Sequence, residues 1–261
     1  MGIVESVKKG FSMSGKLLNV ILIFFILNVI MGLVSLPLAS PDNVGNPGIA
    51  AISFVLSVIF FGIFIFLQGG ALGLVRDLHK TGECQMSNFT PYGKKYYLKI
   101  LGLLLAYILI ALALVLILAL FGSGILAIAN NAFTTTLVGV VVGVIALVTI
   151  IVLLFPIYSI VLEDSKVIAA IKKGTQLAWA NFWKVLGLFL LLVLISVLIS
   201  LVIGFLIGLI TVPLPFAVTQ VIITIVNSAV QSYIPIVMMI ALMGYYLGLS
   251  KEATASKGPA T

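Results

Sequence analysis

Residues 163–190 read EDSKVIAAIKKGTQLAWANFWKVLGLFL and predict a helix end, an amphipathic helix and the start of a membrane span. Projected at 100° per residue, the middle of this segment separates into an apolar side and a polar side. The apolar side holds Val167, Ile168, Ile171, Ala178, Trp179 and Phe182, the polar side holds Lys166, Lys173, Gln176 and Ala180, and Lys172 lies on the flank. A basic helix of this kind rests in the headgroup region of a bilayer, with its indole rings at the membrane–water interface.

The composition of the whole chain excludes a water-soluble globular domain. Of its 261 residues, 62% are hydrophobic and 8% are charged, and the mean hydropathy is +1.35. Six apolar runs are long enough to cross the bilayer, which takes about 20 residues of helix. They are Leu17–Ala39, Ile49–Val75, Leu98–Phe121, Leu137–Leu162, Val185–Ile210 and, interrupted by polar residues, Val218–Leu249. The expected fold is therefore an all-α, polytopic membrane bundle of six transmembrane helices.

All 14 Lys and Arg residues lie on one side of this arrangement, and the three short connections on the other side contain none. Because basic residues concentrate in cytoplasmic loops, both termini are expected in the cytoplasm of a cell-membrane protein. The six spans are predicted to form one domain over residues 1–250. A short polar tail at 251–261 is expected to be disordered.

The formal charge of +7 favours anionic lipid headgroups over nucleic acid as the partner, because the basic residues form a collar with Tyr and Trp among them. The residues expected to bind lipid at the interface are Lys8, Lys9, Lys166, Lys172, Lys173, Trp179, Trp183 and Lys184. A membrane-protein partner or a second copy of the chain is the open alternative.

Short similar segments predict that the chain repeats itself. GKLLNVIL from Gly15, LKILGLLL from Leu98 and WKVLGLFL from Trp183 each place a lysine just before an apolar run. In the same way VKKG at 7–10 matches IKKG at 171–174, which predicts a second amphipathic helix before span one. Since every copy enters from the basic side, we expect three parallel copies of an interfacial helix and a helical hairpin, at about 1–77, 78–164 and 165–252.

Proline and glycine modify this plan locally. Pro91 and Gly93 interrupt the surface segment of the middle copy, so only a short helix is expected there. Pro156 predicts a kink in span four. Glycines four residues apart predict close helix approaches in spans two, four, five and six, at Gly69/Gly73, Gly139/Gly143, Gly204/Gly208 and Gly244/Gly248.

The sequence holds few groups that could carry chemistry. All seven acids lie in loops or at helix ends, so an ion-coupled carrier or proton relay lacks the intramembrane carboxylate it needs. Nucleotide-binding, zinc-protease and serine-hydrolase motifs are absent, and no cofactor or catalytic residue is expected. His79, Glu83 and Cys84 form only a weak metal-ligand set, for which a solvated loop is the favoured interpretation.

Span six carries one polar stripe. Gln220, Thr224, Asn227 and Gln231 project within about 60° of one another, Ser228 and Ser232 flank them, and Pro235 removes the helical partner of the Gln231 carbonyl. Interhelical hydrogen bonds, with Asn28 or Gln68 as partners, are the favoured interpretation. A neutral polar lining for a cavity or pathway is the alternative.

Three segments carry a resemblance to a known group: GLVRDLHKTGE from Gly73, GKKYYLKILG from Gly93 and VLEDSKVIAAIKKGTQLAWANFWKVLG from Val161. They resemble prokaryotic, largely archaeal, six-helix membrane proteins of unknown function, which are related to the membrane domain attached to some glycerophosphodiester phosphodiesterases. This resemblance carries over no catalytic residue. Mitochondrial carriers are similar in architecture, but their proline–acid–basic signature is missing here.

The expected function is that of a non-enzymatic membrane protein that engages anionic lipid or a membrane partner through its basic interfacial helices. A passive channel or permease for a small neutral solute, lined by span six, is the first alternative. A membrane enzyme that acts on lipid through groups such as His79 and Glu163 is the second.

Overall fold

The computed structural model describes residues 2–38, 43, 45–129 and 131–255, and these residues are helical with short connections. The α-helices are α1 Ile3–Ser14, α2 Leu18–Leu38, α3 Pro47–Thr81, α4 Phe89–Ile128, α5 Ala132–Val152, α6 Pro156–Glu163, α7 Val167–Ala180, α8 Phe182–Thr211 and α9 Phe216–Ala255. Turns of 3₁₀ helix precede α2, at Gly15–Leu17, and α4, at Met86–Asn88. No strand occurs in the described ranges, which confirms the all-α prediction.

Six helical runs are long and apolar enough to cross a membrane, as predicted. They are Ile3–Leu38, Pro47–Thr81, Met86–Ile125, Ala132–Glu163, Phe182–Thr211 and Phe216–Ala255. Large apolar side chains such as Phe54, Phe121 and Phe205 lie exposed on these helices. Because a soluble monomer rarely exposes so much contiguous apolar surface, acyl chains are its natural cover.

Capping residues explain several helix limits. The Asn46 side chain accepts hydrogen bonds from the Gly48 and Ile49 N–H groups, and Pro47 supplies the first helical φ of α3. Gly82 ends the same helix in the left-handed region, with φ of 79°. Asn131 caps α5 in the same way as Asn46 caps α3.

Contacts divide the chain into two compact units, residues 1–97 with 187–261 and residues 98–186. In the first unit the side chains buried in α3 begin at Ile65, and those in α9 begin at Ser228. The preceding halves of both helices are largely exposed, so the packed core of this unit lies toward the basic ends of its helices. The prediction of one domain over 1–250 stays a prediction.

Three local expectations were wrong. The middle copy has no separate short helix: Pro91 lies in the first turn of the 40-residue α4, where its missing N–H would have no helical partner anyway. Helix α4 continues to Ile128, beyond the predicted end of span three at Phe121, and α5 begins at Ala132, before the predicted start of span four at Leu137. At the tail, α9 continues to Ala255 because Lys, Glu and Ala favour helix, while the predicted disorder of 256–261 lies outside the described residues.

Span four is broken rather than kinked at its proline. α5 ends at Val152 and α6 begins at Pro156, which stands at the first helical position. The Tyr107 hydroxyl donates a hydrogen bond of 2.7 Å to the Leu153 carbonyl in the break. A polar side chain of the same unit thus satisfies a backbone group that the interrupted helix cannot.

Three of the four predicted glycine pairs fall into two classes, and the close approach at Gly244/Gly248 in span six stays a prediction. In span two, a Cβ at Gly69 would lie 3.4 Å from the Gly93 carbonyl, and Gly73 lies directly under the Tyr92 ring, so this predicted close approach is confirmed. At Gly139, Gly143, Gly204 and Gly208 no atom lies within 4 Å of such a Cβ. The predicted close approaches at these four positions are therefore wrong within this chain, because these glycines lie on open faces of their helices.

Candidate functional site

The helix α1 presents a face of small residues to its own unit. Ser6, Gly10 and Ser14, spaced four apart, are buried, and a Cβ at Gly10 would lie 2.8 Å from the Val237 carbonyl of α9. Such close backbone approach is the usual role of small residues between membrane helices. Both lysines of the helix, Lys8 and Lys9, are exposed on its other faces.

The helix α7 is built in the same way in the other unit. Ala170, Gly174 and Ala178 are buried at the same spacing, and a Cβ at Gly174 would lie 2.6 Å from the Pro156 Cα of α6. The sequence analysis placed Ala178 on the apolar side but missed this stripe. The signal was the spacing of small residues, which we applied to the spans and not to the interfacial helices.

The bulky apolar residues of the α7 region face outward. Ile168 is 83% exposed, Trp179 64% and Trp183 80%. The Phe182 ring lies between the two indoles, with its centroid 6.0 Å from Trp179 and 5.4 Å from Trp183. These rings line an open hollow of about 580 Å³ together with Val148, Ala180, Asn181 and Lys184. An exposed aromatic cluster beside a lysine is typical of a membrane interface.

Some of the predicted lipid-binding lysines make contacts within the protein. Lys173 Nζ lies 2.8 Å from Glu163 Oε2. Lys166 and Lys172 are exposed, like Lys8 and Lys9, and make no ion pair within the described residues. These four lysines therefore form the part of the predicted set that is open to headgroups.

A cluster of hydrogen-bonded polar side chains joins the end of α3 to the start of α4. The sequence analysis did not single out this cluster. Arg76 donates to Asp77 Oδ1 at 2.9 Å and to the Tyr96 hydroxyl at 2.7 Å, and its guanidinium lies 4.7 Å from the centre of the Tyr92 ring. Tyr92 in turn donates to Asp77 Oδ2 at 2.6 Å. Because each charged group is paired, the cluster has the character of a structural joint.

The weak metal-ligand set does not converge. The His79 Nε2–H group donates a hydrogen bond of 2.9 Å to the Ile240 carbonyl. Cys84 Sγ donates to the Lys16 carbonyl at 3.4 Å. No group of three potential ligands occurs in the residues that the structure describes. Burial raises the pKa of the Cys84 thiol, although the nearby Lys16 charge acts in the opposite direction.

The polar stripe of α9 is divided between two environments. Ser228 and Ser232 are buried, Gln220 and Thr224 are half-buried, and Asn227, Gln231 and Pro235 are exposed. Asn28 Nδ2 donates to Ser232 Oγ at 2.8 Å, and Ser232 donates to the Ser228 carbonyl at 2.6 Å. Asn28 therefore is a partner of span six, but it meets the flanking serine and not the centre of the predicted stripe.

A cavity of about 270 Å³ lies where α2, α3 and α9 meet. Its polar lining consists of Asn28, Gln68, Gln231 and Ser232, and its apolar lining consists of Phe24, Phe64, Pro235, Ile236 and Met239. No titratable side chain lines it. Mostly apolar walls with a few convergent polar groups are typical of sites for small neutral molecules.

Comparison with known families now places the chain. A family model described as a domain of unknown function, DUF7847, matches residues 1–249. The chain belongs to the DUF7847 family. Neither the curated proteins nor the solved structures gave a match.

The matched region contains both candidate features of this DUF7847 protein. It covers α1 to α8 and α9 as far as Leu249, and so includes the interfacial lysines and the cavity. The family description assigns no activity, and the six candidate spans are what supports a multi-pass membrane protein.

Proposed function

We propose that this protein is a non-enzymatic component of the cell membrane, with both termini in the cytoplasm, that holds anionic lipid headgroups against its interfacial helices α1 and α7. The observation that carries the proposal is that both helices combine a buried face of small residues with exposed basic faces. Each buries small residues against a span, and the remaining faces carry exposed lysines, joined in α7 by exposed Ile168 and Trp179. Each lysine near the membrane surface attracts anionic lipid by about 1 kcal/mol.

An internal repeat would place several such surfaces around the membrane. Burial supports it, because the first and fourth residues after each repeated lysine are buried: Leu17 and Val20, Ile100 and Leu103, Val185 and Leu188. Contacts support it too. Each copy's entry segment packs on an even-numbered span, α1 on α9, the start of α4 on α3, and α7 on α6.

The test compares two charge-matched variants in bilayers with spin-labelled phosphatidylglycerol and phosphatidylcholine. Changing Lys8, Lys166 and Lys172 to Gln should reduce the preference for phosphatidylglycerol by at least severalfold at low salt, since each lysine near the surface attracts anionic lipid by about 1 kcal/mol. Changing Lys80, Lys251 and Lys257 to Gln removes the same charge outside the three entry segments and should have less effect. Equal losses in the two variants would contradict a role specific to α1 and α7.

A second candidate is a passive route for a small neutral solute, supported by the cavity at Pro235. The polar face of α9 reaches this cavity through Gln231 and Ser232. The test is solute-driven swelling of proteoliposomes with glycerol, with protein-free vesicles as the control. An unchanged swelling rate would remove this candidate.

The relationship to the membrane domain attached to glycerophosphodiester phosphodiesterases, and an archaeal source, also remain proposals. A membrane-protein partner or a homo-oligomer in place of lipid would appear in cross-linking of the intact membrane.

A further inference from the structure

The cavity between α2, α3 and α9 lies deep within the helical spans. Asn28 follows the start of α2 by ten residues, and Gln68 precedes the end of α3 by thirteen. At about 1.5 Å per residue, these side chains stand about 15 and 20 Å from the basic ends of their helices. The polar groups of the cavity are thus near the middle of the membrane, where water does not satisfy them from outside.

Several of these groups lack protein partners. Within the described residues, the carboxamides of Gln68 and Gln231 make no hydrogen bond, and Asn28 makes only the one from Nδ2 to Ser232. The carbonyl of Gln231 also loses its helical donor, because residue 235 is proline. Donors and acceptors placed in an apolar setting without partners are costly. A molecule that offers both acceptors and donors would remove this cost.

The same groove continues toward the outer ends of α2 and α3. A second hollow of about 230 Å³ lies there, and its polar lining is Ser35, Ser53 and Ser57. Phe24, Asn28 and Ser35 share one face of α2, while Ser57, Phe64 and Gln68 share one face of α3. The two hollows therefore lie on the same faces of α2 and α3, and the path between them is the α2–α3 groove.

The groove ends at the cavity. On the basic side of it, Val20 of α2, Leu72 of α3 and Ile240 of α9 are at most 1% exposed. Within the described part of the unit these buried side chains close the cavity on its basic side, so passage of a solute would require them to move. The cavity is therefore closed toward the basic side, while the α2–α3 groove leads to it from the other side and Gln231 and Pro235 border it from exposed positions on α9.

We propose that this pocket binds a small neutral molecule that carries both a hydrogen-bond donor and an acceptor, such as an amide, and that the molecule enters from the non-basic side along the α2–α3 groove. The volume of about 270 Å³ suits a small molecule. The absence of any titratable group in the lining excludes charge as the basis of recognition. Binding at this site does not require passage, so a negative swelling assay would leave it standing.

The test uses the full chain in nanodiscs and saturation-transfer NMR with acetamide and acetone, which share shape but differ in the donor group. Acetamide should bind at least about fivefold more tightly than acetone, a ratio equivalent to one net hydrogen bond. The double variant Gln68→Met with Gln231→Met should lose at least about fivefold in acetamide affinity. Gln220→Met, on the same helix but outside the pocket, should bind like the unchanged protein.

Equal binding of the two probes, or acetamide binding that survives the double variant, would overturn the proposal. The double variant is a valid test only if its elution in size-exclusion chromatography and its helical content match those of the unchanged protein. If the double variant does not fold, Ser57→Phe provides a second test. It obstructs the groove from an exposed position without touching the polar cavity. That variant should also lose acetamide binding, and full retention would overturn entry along the groove.

Discussion

Lys99 Nζ at the start of span three lies 2.6 Å from Asp164 Oδ1 and 2.9 Å from the Asp164 carbonyl oxygen. Asp164 ends α6 in the left-handed region, with φ of 55°. In the first hairpin, Lys16 donates in the same way to the carbonyl of Gly82, the left-handed residue that ends α3, at 2.8 Å. In both hairpins the entry lysine thus binds the residue that ends the returning helix, where the carbonyl ends of the helix attract a cation.

Replacing Lys99 with Met should weaken this closure while keeping the apolar stem of the side chain. The pair is partly exposed, at 29% and 54%, so solvent screening limits the loss of unfolding free energy to about 0.5–1 kcal/mol. Detergent-titration unfolding measures this loss. Lys94→Met, at an exposed position of the same helix, is the control, and an equal change in both variants would argue against the closure.

Gly174→Ala should destabilise the second unit. A Cβ at this position meets the backbone of Pro156, which cannot yield as a flexible side chain can, so we expect a loss of about 1–3 kcal/mol in unfolding free energy. Gly139→Ala is the matched control, because it meets open space and should be neutral or stabilising by up to about 1 kcal/mol. Similar unfolding curves for the two variants would contradict the packing of α7 on α6.

Tyr107→Phe should loosen the break in span four. It removes the hydroxyl that donates to the Leu153 carbonyl, and a buried acceptor left without a partner costs about 1–3 kcal/mol. Hydrogen exchange of the amides around residues 153–158 should accelerate more than that of α7. Tyr97→Phe serves as the comparison, and unchanged exchange after Tyr107→Phe would show that the hydroxyl does not support the break.

The thiol of Cys84 should react slowly near neutral pH. Burial raises the pKa of this thiol, so less thiolate is present at a given pH than in a free cysteine, and the alkylation rate should climb only at strongly alkaline pH. Lys16 favours the thiolate, so Lys16→Met should raise the pKa further and move the rate profile to higher pH. A profile that matches that of a small free thiol would contradict the described surroundings.

The fold was accessible from the sequence because hydrophobic length decides membrane spans without reference to tertiary contacts. The sequence predicts Lys16 and Lys99 as repeated positions, but the carbonyls that they bind could not be deduced from it. Those acceptors depend on left-handed helix ends at Gly82 and Asp164, which arise from the meeting of two helices.

The candidate sites were less accessible for the same reason. A helical projection groups Asn227 and Gln231 with the α9 stripe, yet only contact with α2 decides that Ser232 is the residue that meets Asn28. Likewise, a proline predicts a lost hydrogen bond, but whether the helix continues, as at Pro235, or breaks, as at Pro156, depends on what packs beside it. At Pro156, the neighbour that packs against the break is Gly174 of α7.

The one-sided placement of basic residues supports every proposal above, and cysteine labelling in intact cells tests it most directly. In a Cys84→Ser background, single cysteines are placed at Thr254, near the basic tail, and at Val212, in the exposed connection between α8 and α9. A membrane-impermeant maleimide should label the cysteine at 212 in intact cells and the one at 254 only after the membrane is opened. Labelling of position 254 in intact cells would contradict the cytoplasmic assignment of the basic side.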